Sequence, residues 1–226
     1  MSPLFSASLM CMNFLYIKDE LVTLDKGCDL LHADVMDGHF ANNLALSTDF
    51  IKIIKSNSQL PVDVHLMVKY PNSFIDTLLS MNVDYISVHF ETISNDAFRI
   101  LRKIKAGGAK FGLVLNPSTP IEHAQLLLDE VDLLTLMTVD VGFAGQTFIP
   151  QMLSKIEKAH ELKQQHGYGY IIQVDGACGP KTYNSLWQAG AESFVMGTSG
   201  LFGRLPSLAD SCELMRREFD QITQRV

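Results

Sequence analysis

Short apolar runs rich in β-branched residues alternate along the chain with longer segments whose apolar positions recur every three or four residues. The first pattern is typical of buried strands and the second of amphipathic helices. The predicted strands are LFSASLM, LLHADV, VDVHLMV, DYISVHF, KFGLVLN, LLTLMTV, YIIQVD and SFVMG. The predicted helices cover residues 14–26, 48–56, 72–82, 95–106, 121–130, 150–166, 180–189 and 208–225.

Strand–helix units in this order imply parallel strands joined by right-handed crossovers. A doubly wound open sheet and a closed (β/α)₈ barrel both satisfy the pattern. The count of eight, with no strand marked as an edge strand, favours the barrel. The sequence therefore predicts an α/β fold, a (β/α)₈ TIM barrel. No Pro/Ser/Gly-rich linker interrupts the chain, so we expect one domain over residues 1–226.

Composition narrows the class of protein. The 226 residues are 47% hydrophobic, enough for one large core, and the net charge of -7 comes without a Lys/Arg cluster. Nucleic acid and anionic membrane are therefore not expected partners. The N-terminal segment has neither the basic flank nor the apolar run of a signal peptide or membrane span. Four scattered cysteines without C-x-x-C spacing predict free thiols and a cytoplasmic location.

Polar residues stand at the ends of three predicted strands, where a TIM barrel places its active site. His32 and Asp34 end the second strand on one face, His65 ends the third, and Asp175 ends the seventh. A single histidine or aspartate of this kind is more often structural. The convergence of all four on one rim favours a site for one divalent ion, Zn²⁺, Mn²⁺, Fe²⁺ or Co²⁺.

Glycine-rich turns follow the last three strands: DVGFAGQTF, DGACG and MGTSGLF. Each turn alone is weak evidence for a binding site, because glycines also make tight loops. Three adjacent turns, each able to expose backbone N–H groups, predict a phosphorylated substrate beside the metal site.

Six segments together resemble the ribulose-phosphate 3-epimerase family, in that family's order, from Ser8 to Phe202: SLMCM, LHADVMDGHF, VDVHLMV, MTVDVGFAGQTFIP, VDGACG and MGTSGLF. The resemblance implies a TIM barrel of the ribulose-phosphate-binding type. It also implies an isomerase with one divalent metal ion per subunit, a phosphorylated ketose as substrate, and a homo-oligomer.

The resemblance assigns roles to individual residues. Asp34 matches the proton acceptor and Asp175 the proton donor of an epimerisation at C3 through an enediolate. His32, Asp34, His65 and Asp175 match the metal ligands. The matching substrate-binding residues are Ser8, His65, Gly142, Phe143, Ala144, Gly145, Asp175, Gly176, Ala177, Gly197, Thr198 and Ser199. Met36, Met67 and Met137 match methionines that line the pocket.

Within the family the chain most resembles enzymes that convert D-allulose 6-phosphate to D-fructose 6-phosphate, because of SLMCM, MTVD, FIP and GTSGLF. The alternative is conversion of D-ribulose 5-phosphate to D-xylulose 5-phosphate. A non-catalytic phosphosugar-binding barrel is disfavoured because both carboxylates are present. A decarboxylase or aldolase barrel is disfavoured because no strand end supplies a lysine, and a purely structural barrel leaves the polar rim without a purpose.

Three positions depart from the family pattern. Val141 and Asn42 replace prolines, which predicts more backbone freedom in the loops over the site. Gln173 replaces an acidic residue, and the sequence does not indicate what this change does. Asp37 is expected to hold the loop after the second strand. The remaining histidines are expected to lie outside the constellation: His39, His89, His123, His160 and His166.

Overall fold

The computed structural model describes residues 2–224. Eight parallel strands form a closed barrel in chain order, and β1 closes the ring by pairing with β8, Phe5 beside Phe194. The predicted (β/α)₈ barrel is confirmed and the open sheet is excluded. The strands are β1 Leu4–Ser8, β2 Leu30–Met36, β3 Val62–Met67, β4 Tyr85–His89, β5 Lys110–Leu115, β6 Leu133–Met137, β7 Ile171–Asp175 and β8 Ser193–Met196.

Helices surround the strands in the predicted places. They are α1 Ile17–Gly27, α2 Thr48–Asn57, α3 Asn72–Ser80, α4 Phe90–Ile93, α5 Ala97–Ala106, α6 Met152–His166, α7 Tyr183–Gln188 and α8 Leu208–Thr223. The 3₁₀ helices are Leu9–Cys11, Phe14–Tyr16 and Ile121–Glu130. None of the helices within residues 2–224 is both long enough and apolar enough to cross a bilayer.

The structure differs from the predicted elements in three places. β1 ends at Ser8, and the chain then turns into a 3₁₀ helix instead of continuing as a strand. The short helix α4 was not predicted. The segment Ile121–Glu130 winds as a 3₁₀ helix. Three of its four buried residues, Ile121, Ala124 and Leu127, are three apart, which places them on one face of a helix with three residues per turn.

The barrel interior is layered, and its layers differ in polarity. Leu30, Tyr85, Leu133 and Ile171 close the N-terminal end with an apolar cluster. The next layer is polar and buried: Ser6, His32, Asp63, Ser87, Thr135, Gln173 and Ser193. Strand residues of opposite parity face outward and form the main core with the helices. The polar interior therefore lies between an apolar floor and the C-terminal mouth, where the predicted site lies.

Candidate active site

The strand register brings the four predicted metal ligands together. Asp34 on β2 is the direct neighbour of His65 on β3, and His32 precedes Asp34 on the same face. Asp34 Oδ1 lies 3.2 Å from both His32 Nε2 and His65 Nδ1. Asp175 Oδ2, from the last residue of β7, lies 3.6 Å from each of the same nitrogens. One donor atom from each side chain thus lies within 4.8 Å of all the others.

This donor set fits a divalent cation. Two imidazole nitrogens and two carboxylate oxygens suit Zn²⁺ and the neighbouring first-row metals, and each residue turns one donor atom toward the same point. His32 and His65 have no exposed surface, Asp34 is 3% exposed, and Asp175 is half-buried at the edge of the cavity above. A cation bound here would be held by buried side chains on one side and would be accessible from the cavity on the other.

The charges of the buried groups are strongly coupled. Burial alone would lower the pKa of His32, but the Asp34 carboxylate and hydrogen bonds with Asp175 and Asp63 raise it well above its ordinary value. Burial alone would raise the pKa of Asp34, but His32 and His65 hold it below its ordinary range. The site therefore keeps Asp34 as a carboxylate, the form that binds a cation or accepts a proton.

His32 is held from behind by a network that begins at Asp63. The Asp63 carboxylate accepts from His32 Nδ1 at 2.9 Å, from Ser87 Oγ at 2.5 Å and from Gln173 Nε2 at 3.1 Å. Gln173 also donates to Thr135 and accepts from Ser193. The departure at Gln173 thus has a structural account, since a neutral amide donates to Asp63 where an unprotonated acid would repel it. Asp63 was not among the residues predicted from the sequence. Its alternation with His65 on β3 was the available signal.

His89 was expected to lie outside the constellation, and it is not one of the four grouped residues, but its ring contacts one of them. Its ring is fully buried at the end of β4, and its Nε2 lies 2.8 Å from His65 Nε2. Burial lowers the pKa of His89 to about 4, so the ring is neutral. β4 lies beside β3, with Ser87 opposite His65, so the same interior face carries His89 two residues later.

Nearly all the remaining predicted site residues line one cavity above the four ligands. Ser8 donates to Asp34 Oδ2 at 3.2 Å, which ties the end of β1 to the ligand cluster. The predicted residues in the lining are Ser8, Asp34, Met36, Met67, Met137, Gly142, Phe143, Ala144, Gly145, Asp175, Gly176, Ala177, Gly197, Thr198 and Ser199. His65, also predicted to touch substrate, lies beneath this lining with no exposed surface.

Three methionines cover one side of the cavity. Met36, Met67 and Met137 are each at most 6% exposed, and Met36 and Met67 form a small apolar cluster with Ala41. Thioether side chains of this kind fill irregular space and bring no competing charge. They give the ligand cluster an apolar wall, which limits the access of water to it.

The glycine-rich segments form a second wall. Gly142, Gly145 and Gly176 have positive φ angles of 115°, 79° and 117°, and Ala177 follows at 51°. No lysine or arginine lines the cavity among the described residues. The amides of Gly145, Ala177 and Ser199, one from each segment, donate to no backbone carbonyl within residues 2–224. An anion on this wall would therefore meet backbone N–H groups instead of cationic side chains.

The loops over the mouth are tied to each other. Asn43 Nδ2 donates to the carbonyl oxygen of Gly142 at 2.7 Å, and Val141 packs against the methionine cluster. The extra freedom expected from Asn42 and Val141 is thus opposed by a direct contact. Asp37 holds its loop as predicted, since its carboxylate accepts from the backbone of His39, Phe40 and Lys69.

The other histidines lie away from the site. His39 is exposed in the loop that Asp37 holds, and His123 and His166 are exposed on or at the end of helices. His160 is half-buried on α6, and its Nδ1 is buried without a hydrogen-bond partner among the described residues. None of the four contacts the ligand cluster.

Comparison with known sequences gives a family match. The sequence model of the Ribulose-phosphate 3 epimerase family matches residues 4–202. The chain is 37% identical over 202 residues to the ribulose-phosphate 3-epimerase of Treponema pallidum, covering 89% of this chain and 92% of that protein. It is 32% identical over 222 residues to the ribulose-phosphate 3-epimerase of Escherichia coli, covering 97% of each.

Comparison with solved structures confirms the fold alone. A ligand-bound crystal structure of KGPDC from Streptococcus mutans aligns with a TM-score of 0.76 at 14% identity, covering 97% of this chain and 98% of that one. A 3-hexulose-6-phosphate synthase from Salmonella typhimurium aligns with a TM-score of 0.68 at 14% identity, covering 98% and 99%. At these identities the likeness concerns the barrel and says nothing of the chemistry.

Proposed function

The chain belongs to the ribulose-phosphate 3-epimerase family of isomerases, and on that premise we propose that it interconverts D-ribulose 5-phosphate and D-xylulose 5-phosphate. The observation that carries the proposal is a single cavity that combines a cluster of ionisable side chains with a wall of glycine-rich segments. Two carboxylates and two imidazoles lie at its inner end. Three glycine-rich segments line its side, and one amide in each of them donates to no backbone carbonyl within residues 2–224.

Asp34 and Asp175 are the proposed proton-transfer groups. They come from β2 and β7, which are separated in the ring by β8 and β1, so they approach the cavity from different sides. Inversion at a carbon needs a proton removed from one face and another delivered to the opposite face. Asp34 Oδ2 is the base in the forward direction, kept ionised by the histidines and oriented by Ser8. Asp175 supplies the proton on the other side.

His32, Asp34, His65 and Asp175 are the residues that would hold one divalent ion, Zn²⁺, Mn²⁺, Fe²⁺ or Co²⁺. When bound, such an ion supplies Lewis-acid stabilisation of the negative charge that develops beside the reacting carbon. The methionines exclude water around the reacting carbons, so that this charge is less screened than it would be in bulk solvent.

The phosphate is the proposed ligand of the second wall. Gly142–Gly145, Gly176–Ala177 and Gly197–Ser199 would bind it through N–H groups. Because the phosphate does not change during the reaction, its binding energy positions the sugar without favouring either epimer.

D-Allulose 6-phosphate was the substrate expected first from the sequence, and it remains a second candidate. The names of the curated relatives support the pentulose phosphate instead. The observation that supports the hexulose phosphate is the SLMCM segment, which places Met10 and Cys11 in the cavity lining. A comparison of kcat/KM for the two sugars on one preparation decides between them, and a higher value for D-allulose 6-phosphate would overturn the main assignment.

Isotope exchange tests the chemistry directly. In D₂O, metal-loaded enzyme should introduce deuterium at C3 of D-ribulose 5-phosphate, and Asp34→Asn and Asp175→Asn should each lose turnover by at least 100-fold, the lower range of a general acid–base contribution (~10²–10⁴-fold). The exposed Asp129→Asn is the matched control and should exchange at the wild-type rate. Absence of exchange with both sugars would overturn the epimerase assignment, and full exchange by either active-site variant would overturn the two-carboxylate scheme.

The remaining proposals concern the organisation of the protein. We propose one domain over the whole chain, a homo-oligomer, and a cytoplasmic location. All four cysteines are free thiols in the structure, which supports a reducing compartment.

A further inference from the structure

A line of hydrogen bonds runs from the ligand cluster outward through β4. His65 turns Nδ1 toward Asp34 and Asp175, and its other nitrogen, Nε2, lies 2.8 Å from Nε2 of His89. Nδ1 of His89 lies 3.3 Å from Oε2 of Glu91, in the first turn of α4. Both imidazoles are fully buried, so no solvent molecule replaces these partners.

The outer end of this line is fixed as an acceptor. Oε1 of Glu91 accepts from the backbone N–H of Asn116 at 3.0 Å and from the hydroxyl of Thr119. Burial alone would raise the pKa of Glu91, but hydrogen bonds from His89 and Thr119 outweigh it and hold the pKa at about 2. Glu91 is therefore a carboxylate at neutral pH, and it can only accept hydrogen bonds.

The donor and the acceptor of each hydrogen bond in this line then follow from those of the bond before it. Because Glu91 accepts, Nδ1 of His89 carries the proton and donates. A neutral imidazole has one N–H, so Nε2 of His89 has a lone pair and accepts. Nε2 of His65 must therefore donate to it, since two bare nitrogens at 2.8 Å would repel each other. This leaves the lone pair of His65 on Nδ1, the atom that faces the ligand cluster.

We propose that Glu91 and His89 are positioning residues that fix the tautomer and orientation of His65, so that Nδ1 of His65 is ready to bind a cation. The proposal rests on the metal site of the proposed function and deepens it. Neither residue is a ligand, and the carboxylate acts on the site through two imidazole rings.

The opposite polarity is unfavourable at both ends of the line once a cation is bound. It would place a bare Nδ1 of His89 against the Glu91 carboxylate, two acceptors 3.3 Å apart. It would also put the His65 proton on Nδ1, where it occupies the position that a cation needs. Hydrogen bonds behind a ligating histidine commonly change metal affinity by about 10- to 100-fold.

The substitution Glu91→Gln tests the direction of the line. The single amide oxygen of glutamine is required by the Asn116 N–H and the Thr119 hydroxyl, which leaves the NH₂ group facing Nδ1 of His89. A donor at that position reverses every bond and moves the His65 proton to Nδ1. Glu122→Gln, an equal loss of charge at an exposed position in the following 3₁₀ helix, is the matched control.

Two measurements read the outcome without any sugar. Co²⁺ titration of metal-free protein should show affinity weakened by about 10- to 100-fold in Glu91→Gln and unchanged in Glu122→Gln. Long-range ¹H–¹⁵N NMR of the histidine rings in the Zn²⁺-loaded protein, where the cation takes the place of a proton between Nδ1 of His65 and Asp34, should show Nε2–H on His65 and Nδ1–H on His89 in the wild type. It should show the His89 proton on Nε2 in Glu91→Gln. The wild-type spectrum stands even if the variant does not fold.

A proton on Nε2 of His89 in the Zn²⁺-loaded wild type would overturn the proposal, as would wild-type Co²⁺ affinity in a folded Glu91→Gln protein. Failure of the epimerase assignment is separate: it appears as no deuterium exchange, while the Co²⁺ affinities and ring tautomers keep the predicted pattern.

Discussion

At the scale of single residues, the buried interior of the barrel depends on one carboxylate that accepts several hydrogen bonds. Asp63 accepts from His32, Ser87 and Gln173, so its charge is neutralised by donors on three other strands. Burial alone would raise the pKa of Asp63, but its hydrogen bond with His32 and the charge of that ring lower it. A buried carboxylate of this kind is stable only while its donors remain.

Gln173→Leu removes one of those donors. Asp63 would lose a hydrogen bond, and Ser193 and Thr135 would each lose a buried partner. Because unsatisfied buried polar groups cost about 1–3 kcal/mol, we expect the free energy of unfolding in urea to fall by about that amount. Gln164→Leu, at an exposed position on α6, is the control. An equal change in both variants would contradict this role for Gln173.

The residues that sequence pattern could identify are those whose type alone suggests chemistry. His32, Asp34, His65 and Asp175 stand at strand ends, and a barrel brings strand ends together. Asp63 and Gln173 face the same interior in the layer of His32, but whether a strand residue faces the barrel or the helices depends on register and closure. His89 was missed for a related reason, because its contact with His65 depends on the pairing of β3 with β4.

At the scale of elements, the close approach of β4 and β5 depends on a glycine. Gly112 lies opposite Ser87 in the parallel pair. A Cβ on Gly112 would be 2.7 Å from Cβ of Ser87 and 2.8 Å from its Cα, nearer than real side chains come. The space that glycine leaves is thus occupied by the serine that donates to Asp63. The strand pairing and the orientation of His32, a proposed metal ligand, therefore both depend on Gly112.

Gly112→Ala should therefore affect both stability and the site. We expect the free energy of unfolding to fall by about 1–3 kcal/mol from overpacking, together with weaker Co²⁺ binding as Ser87 moves away from Asp63. Gly169→Ala is the matched control, since nothing lies within 4 Å of its added Cβ. The measurements are urea unfolding and Co²⁺ titration. Destabilisation with unchanged Co²⁺ affinity would separate the packing of Gly112 from the hydrogen bond of Ser87.

Element boundaries were less predictable than element order. Apolar spacing located every strand and every longer helix, because burial against the barrel requires that spacing. It did not distinguish the 3₁₀ helix Ile121–Glu130 from an α-helix, since a spacing of three suits both. Nor did it show that β1 ends at Ser8, where the chain must turn to bring the serine to Asp34.

At the scale of the whole molecule, closure of the barrel is what makes one site from distant segments. The four proposed metal ligands come from β2, β3 and β7, and no segment of the unfolded chain holds them near one another. The pairing of β1 with β8 completes the ring that fixes β7 relative to β2. A cation that binds this site therefore binds the native state and leaves the unfolded state almost unaffected.

Metal removal should then lower stability by mass action. At a free ion concentration of 100 times Kd, binding to the native state adds about 2.7 kcal/mol to the free energy of unfolding. For a chain of this length that corresponds to about 5–10 °C in Tm. We expect a chelator to lower the Tm of the loaded protein by that amount. Asp175→Asn should reduce the difference between loaded and chelated protein, because the amide oxygen is a weaker ligand than the carboxylate.

Differential scanning calorimetry, with and without chelator, measures this difference. Asp129→Asn, exposed and remote from β7, should keep the full wild-type difference, which separates ligand loss from loss of charge. A metal-dependent rise in Tm that persists unchanged in both Asp34→Asn and Asp175→Asn would place the cation elsewhere. If instead the rise disappears in both variants while their chelated forms keep the wild-type Tm, the two carboxylates stabilise the closed barrel only by binding the ion.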